Sequence, residues 1–365
     1  EDVFKECHKY GIEPLVTITH FDCPIHLIKE YGGWKNRKLI EFYERLCRTI
    51  FTRYKGLVKY WLTFNEINMI LHLPFMGAGL LIEDKETALK DKYQAIHHEL
   101  VASALATKIA HEIDPDNKVG CMLAAGNTYP YTCNPDDVWK SIQIDREGYF
   151  FIDVQARGYY PRYALKQMER EGTMPIMEDG DQELLKDNTV DFISFSYYSS
   201  RCTSADPDMN KQTEGNVFAT LKNPYLKASE WGWQIDAEGL RYSLIDLYHR
   251  YHKPLFIVEN GIGIDEKLDN GKVYDDERIE YYQKHITSLK CAVEHDGVDL
   301  MGYLAWSPID FLSSHKEMRK RYGFVYVNRG FEDLLDLARY KKKSFYWYKK
   351  VIATNGENLQ NDIEY

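Results

Sequence analysis

Six short apolar runs recur along the chain with longer stretches of helical period between them, and no other feature constrains the fold as strongly. The runs are Leu15–Thr19, Tyr60–Phe64, Val119–Leu123, Phe192–Phe195, Leu255–Val258 and Met301–Ala305. They are nearly continuous in hydrophobicity rather than alternating, the pattern of strands covered on both faces. Arg37–Tyr54, Thr87–Ile113, Ala237–His252 and Asp276–His295 read as helices, the second stopped by Asp114-Pro115-Asp116. Such alternation over the whole length implies an α/β fold with a parallel sheet, closed as a barrel or open and doubly wound. The strand ends fall 46 to 73 residues apart, longer than a minimal βα unit of roughly 30. The surplus is expected in loops after the strands, at Pro130–Asp137, Met174–Asp181 and Ser204–Pro224. No internal repeat or linker marks a second domain, so residues 1–365 read as one domain.

Charge and composition narrow the function. The formal charge is −10, and the dense basic runs, Lys316 to Arg321 and Arg339 to Lys343, are short. Binding to nucleic acid is therefore not expected. No run approaches the roughly 18 uncharged apolar residues of a membrane span, and no signal peptide opens the chain; the reading is a cytoplasmic protein with no membrane partner. Seven cysteines without a C-x-x-C pair suggest neither disulfides nor a zinc site. Aromatics make up 14% of the chain, with Tyr (28) outnumbering Gly (23), and flat faces with polar tips suit sugar rings as well as cores.

Polar residues of interest follow the apolar runs: His20, Asn65 with Glu66, Glu259 with Asn260, and Trp306. In a parallel barrel these are C-terminal strand ends, the rim on which active sites are built. A carboxylate abutting a buried strand costs several kcal/mol unless it is paired or used. Two such carboxylates meet the need of glycoside hydrolysis, in which one protonates the leaving oxygen and the other attacks the anomeric carbon or activates water. Asn65 either holds a sugar 2-hydroxyl or caps the next helix.

Thr63-Phe64-Asn65-Glu66-Ile67 and Phe256-Ile257-Val258-Glu259-Asn260-Gly261 resemble two motifs of glycoside hydrolase family 1. Three further segments resemble it in order: Ile12 to Asp22, Phe195-Ser196-Tyr197-Tyr198, and Gly302 to Ser307. The resemblance implies a retaining β-glycosidase on a (β/α)8 TIM-barrel, with Glu66 as acid/base and Glu259 as nucleophile. It also implies that Tyr198 donates to Glu259, and that His20, Asn65 and Trp306 bind the sugar. No metal or organic cofactor is implied, since both steps need only carboxylates and water.

The sugar is narrowed by Ser313, which stands where β-glucosidases of this family carry a Glu that accepts from the sugar hydroxyls. A carboxylate there would repel a 6-phosphate. Lys320-Arg321-Tyr322-Gly323-Phe324 resembles the segment of the 6-phospho-β-glucosidase branch, which implies that Ser313, Lys320 and Tyr322 hold the phosphate. A hydroxyl, an ammonium and a phenol all donate to phosphate oxygens. Ser314, in place of the Trp of phospho-galactosidase relatives, points to the gluco series. The expected substrate is a phosphorylated β-glucoside, cellobiose 6-phosphate or an aryl 6-phospho-β-glucoside, cleaved to glucose 6-phosphate. The rivals are an unphosphorylated β-glucosidase, a 6-phospho-β-galactosidase, or an inactive sugar-binding fragment.

Ser196 and Ile67 depart from the family's Asn and Pro. The chain opens at Glu1 in what reads as the last turns of a helix closed by Gly11, and the family's first two βα units are not in it. The expectation is therefore a partial barrel, poorly stable or inactive alone. Oligomeric state is left open, a homo-oligomer included.

Overall fold

A computed structural model describes residues 1–213, 218–313 and 316–365. Ser314 and part of the loop expected at Ser204–Pro224 lie outside the described residues. Five of the six apolar runs lie wholly in strands and the sixth begins in one but outlasts it by Leu304 and Ala305: β1 (Leu15–Thr19), β2 (Tyr60–Phe64), β3 (Lys118–Ala125), β4 (Phe192–Tyr197), β5 (Leu255–Asn260) and β6 (Leu300–Tyr303). These form one six-stranded sheet in chain order, β1 to β6. Register is parallel where β1 meets β2, with Leu15 opposite Tyr60 and Thr19 opposite Phe64, and where β2 meets β3, with Tyr60 opposite Lys118.

The unreversed order decides between the two architectures. A doubly wound sheet reverses strand order at a switch point, whereas a barrel lays each new strand beside the last. Burial follows position in the order: β2 through β5 are largely buried, while β1 has no buried residue and β6 is intermediate to exposed. A strand at either end of the order has a partner on one side only. Glu259 and Asn260 are the last two residues of β5 rather than residues beyond it. The Pro135–Arg157 helix begins inside a segment expected as loop; its Asp-rich first turn hides the start of a weakly periodic run.

Contacts divide the chain into two compact units. The first comprises Glu1–Ala124, Ile142–Phe195 and Tyr251–Phe256. In it the Lys38–Arg53 helix buries Leu39, Tyr43, Cys47 and Phe51, a spacing of four that lines one face, and packs on the Ala88–Ile113 helix. The second unit comprises Ala125–Ser141, Ser196–Arg250 and Ile257–Tyr365. Its core gathers Ile262, Ile279, Tyr282, Phe324, Trp347 and Val351. Among the described residues no helix is long and apolar enough to cross a membrane.

Candidate active site

In the first unit the end of β2 is gripped before Glu66 leaves it. Phe64 stacks on Tyr43 at 4.8 Å between ring centroids and meets Trp34 edge-on at 5.3 Å. The Tyr43 hydroxyl donates to the Thr63 carbonyl at 2.8 Å, and Thr63 Oγ1 bonds Ser103 Oγ at 2.9 Å. The Asn65 N–H donates to the Thr19 carbonyl at 2.9 Å, so the β1–β2 ladder extends past Phe64.

Glu66 then turns out of the strand at φ +41°, ψ +52°. A left-handed conformation costs a non-glycine residue about 1–2 kcal/mol, and persists where surrounding contacts hold it. Its N–H meets the Met122 sulfur at 3.1 Å. Asn68, two residues on, donates to the Ala124 carbonyl at 3.1 Å and accepts its N–H at 2.9 Å. Glu66, not Asn65, occupies the cap position of the following 3-10 turn. Asn65 is 6% exposed, and its side-chain amide forms no hydrogen bond among the described residues. Of its two sequence readings, the helix cap is therefore not realised.

His20 follows β1 directly, with its backbone N–H bonded to Asp22 Oδ1 at 2.8 Å. The residue is exposed, yet atoms crowding the imidazole desolvate it enough to lower its pKa against the opposing pull of Asp22.

In the second unit, Glu259 is 8% exposed and accepts from the Tyr198 hydroxyl at 2.8 Å. Its neighbour Asn260 is turned away and fully committed: it donates to the Tyr197 carbonyl (2.6 Å) and the Tyr281 hydroxyl (2.9 Å), and accepts from the Tyr303 hydroxyl (2.6 Å). Asn260 thus fastens the end of β5 and is a structural residue. The next residue, Gly261, lets the chain pass Trp306, whose backbone N–H donates to the Asn260 carbonyl at 2.7 Å. A Cβ on Gly261 would lie 2.1 Å from the Trp306 carbonyl oxygen.

Lys320 is the most unusual group of this unit. It is 1% exposed, and its Nζ has no hydrogen-bond partner among the described residues. The ammonium lies 3.7 Å from the ring centroid of Trp233, 5.5 Å from Trp231 and 5.8 Å from Tyr322. Ring faces attract a cation, but they replace only part of its lost hydration. Burial accordingly lowers the Lys320 pKa to about 8, with Glu317 opposing, so the group is still mainly charged at neutral pH. Glu317 is itself occupied by the Trp231 indole N–H at 2.8 Å and the Arg319 guanidinium at 3.0 Å. Burial also raises the Tyr322 pKa, which keeps its hydroxyl a donor.

Ser313 is 6% exposed and joined to Glu317 by two bonds, Glu317 N–H to Ser313 Oγ at 3.2 Å and Ser313 N–H to the Glu317 carbonyl at 3.3 Å. Tyr198 meets both Trp233 and Tyr322 edge-on, at 5.6 and 6.2 Å. Contacts therefore run from Lys320 through Trp233 and Tyr198 to Glu259. Trp231 and Trp233, which the sequence motifs did not single out as partners of a cation, flank Lys320. Gly263 was also missed, although the Glu259-Asn260-Gly261-Ile262-Gly263 run could have signalled it: a Cβ there would lie 2.5 Å from Lys320 Cγ.

Comparison with known proteins identifies the family. The model of glycosyl hydrolase family 1 matches residues 1–357, and the chain belongs to that family. It is 58% identical over 360 residues to the 6-phospho-beta-glucosidase AscB of Escherichia coli strain K12, covering 98% of this chain and 76% of that protein. It is 54% identical to the aryl-phospho-beta-D-glucosidase BglH of Bacillus subtilis strain 168, covering 98% and 77%. The family 1 β-glucosidase structure from Thermotoga maritima superposes with a TM-score of 0.83 at 28% identity, covering 98% of this chain and 77% of that one. The fold is of the TIM-barrel class, as the strand order requires.

Proposed function

We propose that this chain is a catalytic domain that hydrolyses 6-phospho-β-glucosides with retention of configuration, releasing glucose 6-phosphate. Glu259 attacks the anomeric carbon while Glu66 gives its proton to the departing oxygen. The resulting glycosyl ester on Glu259 is then cleaved by a water that Glu66 deprotonates, which restores both groups. The Tyr198 hydrogen bond favours the ionised form that Glu259 needs as a nucleophile. Asn65 holds the 2-hydroxyl, and His20 and Trp306 hold the rest of the ring.

The observation that carries the phosphate assignment is Lys320, a buried cation with no hydrogen-bond partner. Such a group costs several kcal/mol unless an anion completes it. Tyr322 and Ser313 supply the neutral donors. A sugar phosphate does not cross a bilayer unaided, so enzyme and substrate are assigned to the cytoplasm.

Turnover of p-nitrophenyl 6-phospho-β-glucoside, its galacto epimer and its unphosphorylated parent tests the reading. The gluco phosphate is expected to be cleaved fastest, and the first sugar product seen by NMR to be the β anomer. Faster cleavage of the unphosphorylated compound overturns the phosphate assignment, and an α product overturns retention.

A further inference from the structure

Among the described residues no hydrogen bond holds the Lys320 ammonium, so its position is set by its backbone and by the rings around it. Lys320 and Tyr322 share one face of a short extended segment, and Arg321 takes the other, as the two-residue period of a strand requires. On that other face lies an ion network. Arg278, Arg321 and Lys342 stand against Glu266, Asp275 and Asp310, three cations and three anions, none more than 8% exposed.

Arg278 is its centre, and all five of its N–H groups are used. Nε donates to Asp275 Oδ2 at 3.0 Å. Nη1 donates to the carbonyls of Ile262 (2.7 Å) and Tyr322 (3.0 Å), and Nη2 to Glu266 Oε1 (2.5 Å) and the carbonyl of Arg321 (3.0 Å). One planar guanidinium therefore fixes two backbone segments: the one that carries Lys320 and Tyr322, and the Gly261-Ile262-Gly263 segment against which Lys320 packs. Asp310 completes the grip by accepting the Gly323 N–H at 2.9 Å and Arg321 Nη1 at 3.0 Å.

We propose that Arg278 is a positioning residue for the anion subsite: its bonds to the Arg321 and Tyr322 carbonyls set where the Lys320 ammonium and Tyr322 hydroxyl stand, and so how strongly the chain prefers a 6-phosphorylated sugar. The inference rests on the phosphate assignment proposed above. A lysine ammonium has three donors and no plane, so Arg278→Lys keeps the three-against-three charge balance while giving up at least two of the five bonds.

The test compares calorimetric dissociation constants for glucose 6-phosphate and glucose in the wild-type chain, Arg278→Lys and Asp310→Asn, each first checked for a cooperative unfolding transition. Arg278→Lys is expected to lower the preference for glucose 6-phosphate about tenfold, the scale of one charge-assisted hydrogen bond. Asp310→Asn keeps an acceptor for Gly323 and should lower it less. On the phosphorylated nitrophenyl substrate, KM should rise more than kcat falls. A folded Arg278→Lys that keeps the wild-type preference overturns the inference and leaves the phosphate assignment standing. A wild-type chain that does not prefer glucose 6-phosphate overturns both. If neither variant folds, the network is a requirement of the fold rather than a positioning device, and the inference fails.

Discussion

Arg278 and Lys320 are both buried cations of the second unit, yet the first has five hydrogen bonds and the second none at its Nζ. The network around Arg278 balances every charge and satisfies the guanidinium completely. Lys320 has only aromatic faces and a pKa pulled down to about 8. Completed charge holds loops in place; incomplete charge is what the proposed function assigns to a ligand. The first unit offers a third case. Glu99 is 1% exposed inside the Ala88–Ile113 helix and neither carboxylate oxygen has a partner. Burial alone drives its pKa well above the usual carboxylate range, so it is kept neutral instead of paired.

The sharpest way to break this contrast is to make the network incomplete. Glu266→Ala leaves Arg278 and Lys342 each short of a carboxylate, and should cost about 3–5 kcal/mol in urea unfolding. A loss under 1 kcal/mol would mean that the network is not what holds these loops.

Lys320→Met should behave oppositely. Stability should hold or rise, while kcat/KM for the phosphorylated glucoside falls by roughly 10- to 150-fold, corresponding to about 1.5–3 kcal/mol, with the unphosphorylated parent little affected. In the wild-type chain, raising the pH through about 8 removes the Lys320 charge, so KM for the phosphorylated substrate should climb by up to about tenfold per pH unit. A flat KM between pH 7 and 9.5, or equal losses on both substrates, would count against Lys320 as the anion partner.

The effect of Glu99→Gln depends on pH. The folded-state pKa of Glu99 is raised, so the stability tied to its proton is complete below the unfolded pKa of about 4.3 and is lost as pH rises toward the folded value. Wild-type stability should fall relative to Glu99→Gln by up to about 1.4 kcal/mol per pH unit across that window. Parallel urea-unfolding curves from pH 4 to 7 would show that Glu99 is already paired.

Much of the fold and site could be read before any coordinates. Buried parallel strands must be apolar on both faces, which makes runs such as Tyr60–Phe64 stand out, and the carboxylates proposed for catalysis interrupt that apolarity, which exposes Glu66 and Glu259. Arg278 could not be found in this way. It sits in a helix whose Asp276, Glu277 and Glu280 look like an ordinary solvated face, and its partners come from up to 44 residues away. Trp233 could not be paired with Lys320 either, because nothing in its own sequence neighbourhood shows that the ammonium arrives over its ring. Asn260, adjacent to Glu259, looked functional because sequence distance does not reveal that its side chain points into the core.

Sequence alone therefore determined the six strands, the parallel sheet and the family, and singled out the pair of carboxylates proposed for catalysis, because hydrophobic period and local motifs act over a few residues. Only tertiary structure decided which charges are completed and which are left waiting. Whether a buried cation finds its acceptors depends on carbonyls and carboxylates that long-range folding brings to it. For Arg278 folding delivered all five, and for the Lys320 ammonium it delivered ring faces.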